Sequence, residues 1–191
     1  VPLSPLQQLI ALRLHGRTSW IAPGDPPLRE ASVAVIVGTD PDAILVIRRA
    51  ERDGDPWSGH MGLPGGRRDS GDEHLLATAI RETLEEVGIE LHPHHLLGTL
   101  DDVAPRSRTQ LPVFARPFVF GVPGHPRLDP NEEVSLARWV PIGTLTDPDN
   151  LRDFTLRIDD AARVFPAYHL EEGTIWGMTE RILTSLFDLI R

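Results

Sequence analysis

Residues 63–88 set the terms for the rest of the chain. The glycine-rich run Leu63-Pro64-Gly65-Gly66-Arg67-Arg68-Asp69 leads into a segment, 73–87, that reads as a helix, and Gly88 can end that helix by taking a left-handed conformation. On the helix, Glu82, Glu85 and Glu86 stand at spacings that put them on one face. Like charges so placed cost an isolated helix roughly 0.2–0.5 kcal/mol per pair, so the face needs a counter-charge. A bare Glu-x-x-Glu-Glu pattern would read as a solvated acidic face. The preceding loop changes that reading, because its glycines let backbone approach a ligand or metal closely and its arginines can meet phosphate oxygens. Oxygen ligands in a chain without cysteine favour Mg2+ or Mn2+ over zinc. Arg81 is turned about 100° round the helix from Glu82, so it is expected to brace Glu85 at i+4 and not to pair with Glu82.

The chain has 191 residues, 40% of them hydrophobic, which suits one compact domain or a domain with a short arm. A net charge of −9 argues against a nucleic-acid surface or an anionic membrane as the main partner. A small polyanionic substrate stays admissible if metal ions and local arginines reverse the field. The lack of cysteine removes disulfides, thiolate metal sites and cysteine nucleophiles together. No apolar run reaches membrane-spanning length and the amino terminus lacks the order of a secretion signal, so a cytoplasmic location is expected.

A helix is expected at residues 5–14, where Leu6, Leu9, Ile10 and Leu14 recur at helical spacing, followed by a Pro- and Gly-rich linker at 22–28. Strands are expected at 31–37, 43–47, 96–100, 113–120, 137–140 and 163–170, and a last helix at 174–190 with Ile175, Met178, Ile182, Leu186 and Leu189 along one face. This order predicts an α/β (α+β) sandwich with a mixed sheet between helices. Residues 1–30 would be a helix and linker, and 31–191 the main domain. The apolar face of the first helix must pack on its own domain or on a second subunit, which makes a homodimer one candidate assembly.

The loop, the acidic helix and its terminal glycine together resemble the Nudix hydrolases, whose signature is a glycine, a loop acid, then Arg-Glu-x-x-Glu-Glu-x-Gly. Gly66 to Arg81 is one residue longer than usual, so Asp72 holds the loop-acid place counting from Gly66 and Glu73 holds it counting back from Arg81. Thr83 stands where an aliphatic residue is common. The extra residue, the Gly-Gly-Arg-Arg-Asp run and Ala77-Thr78-Ala79-Ile80 look like the coenzyme A diphosphatase branch. So do residues 45–50, Asn131-Glu132-Glu133-Val134, and Ile175-Trp176-Gly177-Met178-Thr179. Where that branch has His-x-Gly-Gln, this chain reads Trp57-Ser58-Gly59-His60.

The resemblance implies metal-dependent attack of water on a nucleoside diphosphate linked to another group, giving a nucleoside monophosphate and a phosphorylated product. From coenzyme A these would be 3′,5′-ADP and 4′-phosphopantetheine. It implies metal ligands at Glu82, Glu85 and Glu86, with a carbonyl at Gly65 or Gly66, and catalysis by these glutamates with Arg81. The general base is a glutamate of the helix, Glu85 or Glu86, or else Glu132 or Glu133. Substrate contacts are expected from Arg49, Trp57, His60, Gly65, Gly66, Arg67 and Arg68. Each has a plainer alternative: solvated charge for the arginines, a loop anchor for Trp57, a structural histidine for His60. Arg48 is a further diphosphate candidate, and residues 101–102 and 105–108 a candidate substrate-side loop. His92-Pro93-His94-His95 reads as an exposed turn, since it lacks acidic partners at ligand spacing.

Overall fold

The computed structural model describes residues 2–20, 29–53, 58–105, 113–158 and 161–191. In chain order its elements are α1 (Pro5–Leu14), β1 (Arg29–Gly38), β2 (Ala43–Arg49), β3 (Met61–Gly62), β4 (Gly65–Arg67), α2 (Leu75–Val87), a 3-10 turn (Pro93–His95), β5 (Leu96–Thr99), β6 (Val113–Gly121), β7 (Val134–Pro141), α3 (Ile142–Thr146), β8 (Leu151–Ile158), β9 (Ala161–Leu170), β10 (Gly173–Trp176) and α4 (Gly177–Ile190).

Strand β1 explains the layering. Side chains alternate across a strand, and here Val35 and Val37 enter one core while Ala34 and Ile36 enter the other. In the first core Ile10 and Leu14 of α1 meet Ile182, Leu183, Leu186 and Phe187 of α4. In the second, Leu75, Ala79 and Val87 of α2 lie over Leu45, Ile47, Phe118 and Phe120. The result is the expected α/β/α sandwich around a mixed sheet, with β1 and β6 parallel and its other pairings antiparallel.

One irregularity of this sheet positions the glycine loop. β1 and β2 pair only at Val37↔Ile44 and Gly38↔Ala43, then splay apart. Residues 61–67 fill the wedge, β3 pairing with β2 (Ile47↔Gly62) and β4 with β1 (Ser32↔Gly66). At the apex the Ala34 N–H donates to the Pro64 carbonyl at 2.8 Å.

The first helix is part of the sandwich. Its N-cap Ser4 and Gln7 form a capping box, and the buried Gln7 amide donates to the carbonyls of Val37 (2.9 Å) and Val122 (3.0 Å). The apolar face that raised a second subunit as a candidate is thus covered within the chain. The linker expected at 22–28 lies outside the described residues.

The last helix begins three residues later than its apolar spacing predicted. Thr174, Ile175 and Trp176 belong to β10, antiparallel to β9, and Gly177 (φ 70°) turns the chain into α4. β-branched and aromatic side chains favour the strand there, and the buried Ile175 enters the core from a sheet. β8, which the sequence reading missed, completes a separate three-stranded sheet, β10-β9-β8. No helix among the described residues is long and apolar enough to cross a membrane.

Candidate active site

Gly65 is required by close approach to backbone, and Gly66 is crowded by a side chain. A Cβ on Gly65 would sit 2.2 Å from the Ser32 carbonyl oxygen, and one on Gly66 would sit 2.3 Å from Glu82 Oε1. The helix beyond is started by His74, whose Nδ1 accepts the Ala77 N–H at 3.0 Å, and ended by Gly88 at φ 72°. Thr83 fits its buried position because its hydroxyl donates to the Ala79 carbonyl at 2.7 Å.

Glu86 is 2% exposed and accepts the Gly65 N–H at 2.9 Å. Burial pushes its carboxyl up to about 7, against the opposing pull of that hydrogen bond, and the charges of Glu82 and Glu133 push the same way as burial. Arg49, at the end of β2, brings Nη1 to 3.9 Å from Glu86 Oε1. Burial also raises Glu82, with Arg81 opposing it.

Arg81 is the hub of the cluster. Nε and Nη2 contact Asp72 Oδ1 and Oδ2 at 3.1 and 3.0 Å. Nη1 reaches Glu85 Oε2 at 2.9 Å, as its i+4 position suggested. Nη2 also lies 3.0 Å from Glu82 Oε1. That corrects the expectation from helix geometry: the backbone vectors diverge, but a long, forked guanidinium spans the angle. Asp72 is buried and further held by the Thr78 hydroxyl (2.9 Å) and the Asp69 N–H (3.0 Å). Its hydrogen bonds with Arg81, above all, keep its carboxyl well below the usual range. Asp72 is therefore the acid that meets Arg81, while Glu73 is exposed. Thr78 was missed, although its place three residues before Arg81 put it on the same helix face.

The remaining residues divide by position. Arg68 is taken up in holding the loop, bonding Glu30 at 2.7 Å and the carbonyls of Asp72 and Glu73 at 3.1 and 2.8 Å. The exposed Arg67 lines a cavity of about 410 Å3 with Arg29, Glu30 and Asp69; Glu82, Glu85 and Glu86 do not line it. The His60 carbonyl accepts the Arg49 N–H at 3.1 Å, and its ring stands 5.1 Å from that of Trp176. The 129–133 loop docks on the end of α2, with the Asn131 N–H on the Glu86 carbonyl at 3.1 Å. It carries Glu133, paired with Arg52 at 2.9 Å, near enough for its charge to act on Glu82 and Glu86; Glu132 is far more exposed. Arg48 turns to Ser135 (3.1 Å) and the Glu172 carbonyl (3.4 Å). The histidine run forms the 3-10 turn, its rings 4.2–5.4 Å apart. Trp57 and residues 106–108 lie outside the described residues.

The donor set suits a hard divalent cation. Three carboxylates share a helix face, and the backbone of Gly66 lies against one of them, where a Cβ would have to push the Glu82 carboxylate aside. Among the described residues no three acidic or imidazole groups are gathered as a ready cage. Arg81 draws Glu82 and Glu85, and Glu86 accepts the Gly65 N–H with Arg49 nearby, so the balancing positive charge comes from the two arginines.

Comparison with known proteins agrees with this architecture. A model of the NUDIX domain matches residues 28–160. An uncharacterised protein of Schizosaccharomyces pombe is 40% identical over 152 residues, covering 68% of this chain but 46% of its own length, so this chain spans about half of that relative. An uncharacterised Nudix hydrolase, NudL, of Yersinia pestis (strain Pestoides F) is 28% identical over 160 residues, 83% of this chain and 78% of that protein. The crystal structure of a MutT/nudix family protein from Enterococcus faecalis superposes with a TM-score of 0.62 at 17% identity, covering 98% of this chain and 69% of that one. With the matched domain spanning most of its length and the glycine loop packed on the acidic helix, this chain belongs to the Nudix family.

Proposed function

We propose that the protein is a Mg2+- or Mn2+-dependent hydrolase of acid anhydrides that opens the diphosphate bond of a nucleoside diphosphate derivative. The observation that carries this is the grip of the acidic helix on the glycine loop: Glu86 on the Gly65 N–H, Glu82 against Gly66, with Arg49 and Arg81 at the same carboxylates. Glu82, Glu85, Glu86 and the Gly66 carbonyl would hold the metal. Bound there, the metal would activate water and neutralise charge on the phosphates. Arg49, reaching in from β2, is placed to orient the diphosphate, and Arg67 to meet an outlying anionic group. Asp72 keeps Arg81 aligned so that the carboxylates stay on one side of the helix. A glutamate must take the proton from the attacking water. Glu86, whose carboxyl is pushed up to about 7, and Glu85 are the candidates within the helix, and Glu133 is the candidate outside it.

Coenzyme A or a derivative is the first substrate on this reading, supported by the sequence likeness across residues 45–50, 77–80, 131–134 and 175–179. ADP-ribose, nucleotide sugars and dinucleoside polyphosphates are the other members of the class. The test is product release from coenzyme A, ADP-ribose, NADH, a nucleotide sugar and a dinucleoside tetraphosphate, with Mg2+ or Mn2+, for wild type and Glu85→Gln. The expected outcome is one dominant substrate and a loss of roughly a hundredfold or more in the variant. Binding of a nucleotide without turnover of any substrate would replace the enzyme with a nucleotide sensor.

A further inference from the structure

The second sheet turns a face of rings toward the end of β2. Trp176 pairs across to Ala167, and Phe165 to Phe154, so the period of two brings Trp176, Phe165, Phe154 and His169 out on one side around the fully buried Ala167. The opposite side supplies Tyr168 and Ile175 to the first core. The Trp176 ring lies 5.3 Å from that of Phe165 and 5.7 Å from that of Phe154, and Phe154 lies 6.4 Å from His169. All four are only half-buried and belong to neither core. His169 Nε2 is shut off from water and has no hydrogen-bond partner among the described residues.

This face is linked to the candidate catalytic site through His60. His60 stands at its rim, edge-on to Trp176 at 5.1 Å, and its carbonyl holds the N–H of Arg49, whose guanidinium lies 3.9 Å from Glu86. We propose that Trp176, Phe154 and Phe165 form the platform for the heteroaromatic base of the substrate. A base presents a flat π face to the rings. An aliphatic tail or a sugar offers no π face. The inference rests on the diphosphatase reading and names the part of the substrate lying beyond the diphosphate.

The test is calorimetric binding of ADP and of inorganic pyrophosphate, both with Mg2+, to wild type, Trp176→Leu, Trp176→Phe and Phe154→Leu. Stacking of a base on an aromatic ring is lost on truncation at roughly 5- to 150-fold in affinity. Both leucine variants should therefore bind ADP about tenfold or more weakly, keep pyrophosphate affinity within about twofold, and be largely rescued in Trp176→Phe. ADP binding unchanged in the leucine variants, equal loss for both ligands, or a wild type that binds no ADP at millimolar concentration would overturn the proposal. If Trp176→Leu does not fold, Phe154→Leu decides, because β8 is flanked by exposed side chains. Hydrolysis by wild type and Glu85→Gln separates the two readings. Base-dependent ADP binding without turnover sinks the diphosphatase alone; turnover that is lost in Glu85→Gln, with silent ring variants, sinks the platform alone.

Discussion

Replacing Glu86 by glutamine should stabilise the metal-free protein at neutral pH and above. The carboxyl is 2% exposed, and burial moves it from an ordinary 4.5 to about 7. Between those values the folded protein holds a proton that the unfolded chain has released, so this group makes stability fall as pH rises, and its cost is complete above pH 7. At 1.36 kcal/mol per pH unit the full cost is about 3 kcal/mol. Glutamine keeps an oxygen for the Gly65 N–H and carries no charge. In urea unfolding with a chelator present, the variant and wild type should be nearly equal at pH 4.5, and the variant should lead by about 2–3 kcal/mol at pH 8. Mn2+ at a hundred times its Kd should close that gap, because wild type then gains RT ln(1 + [L]/Kd), about 2.7 kcal/mol. A difference between the two proteins that stays constant from pH 4.5 to 8, or grows in the opposite sense, would refute the argument from burial.

Asp72→Asn should cost about 2–3 kcal/mol of stability, since Arg81 and Thr78 lose a charged partner. Asp72 is depressed in the folded state, so its contribution is present above its unfolded value near 3.8 and is lost as pH falls below it. Melting curves of wild type should show that acid loss, and those of the variant should lack it. Gly66→Ala places a Cβ 2.3 Å from Glu82 Oε1 and should cut hydrolysis about a hundredfold while circular dichroism stays native; near-normal turnover would show that the contact yields freely. Gln7→Leu leaves the carbonyls of Val37 and Val122 without their donor, and urea unfolding should record a loss of about 2 kcal/mol.

The parts legible from sequence are those fixed by short-range patterns. The acidic face of α2, its end at Gly88 and the apolar runs of β1, β2 and β6 are set by periodicity and by residues with restricted conformations. The choice between Asp72 and Glu73 was not legible, because it depends on which loop carboxylate turns inward toward Arg81. β8 was missed for a related reason: its alternation is interrupted by exposed leucine and charged residues, and only pairing with β9 makes it a strand. Thr174–Trp176 carried apolar residues at a helical interval by coincidence, and sheet pairing overrode it. The reach of Arg81 to Glu82 depends on rotamers, which spacing does not encode.

The wedge between β1 and β2 divides the molecule by how freely it can be altered. The glycine loop is stitched into the most interior strand pair, so shifting it would tear hydrogen bonds at Ala34 and Ser32 and disturb both cores at once. The three-stranded sheet hangs on the outer side, where β3 and β10 meet, and most of β8 and β9 borders water. Insertions and substitutions there leave the interior pairings intact. The architecture therefore lets the outer sheet drift in sequence while the glycine loop and the acidic helix stay fixed in place.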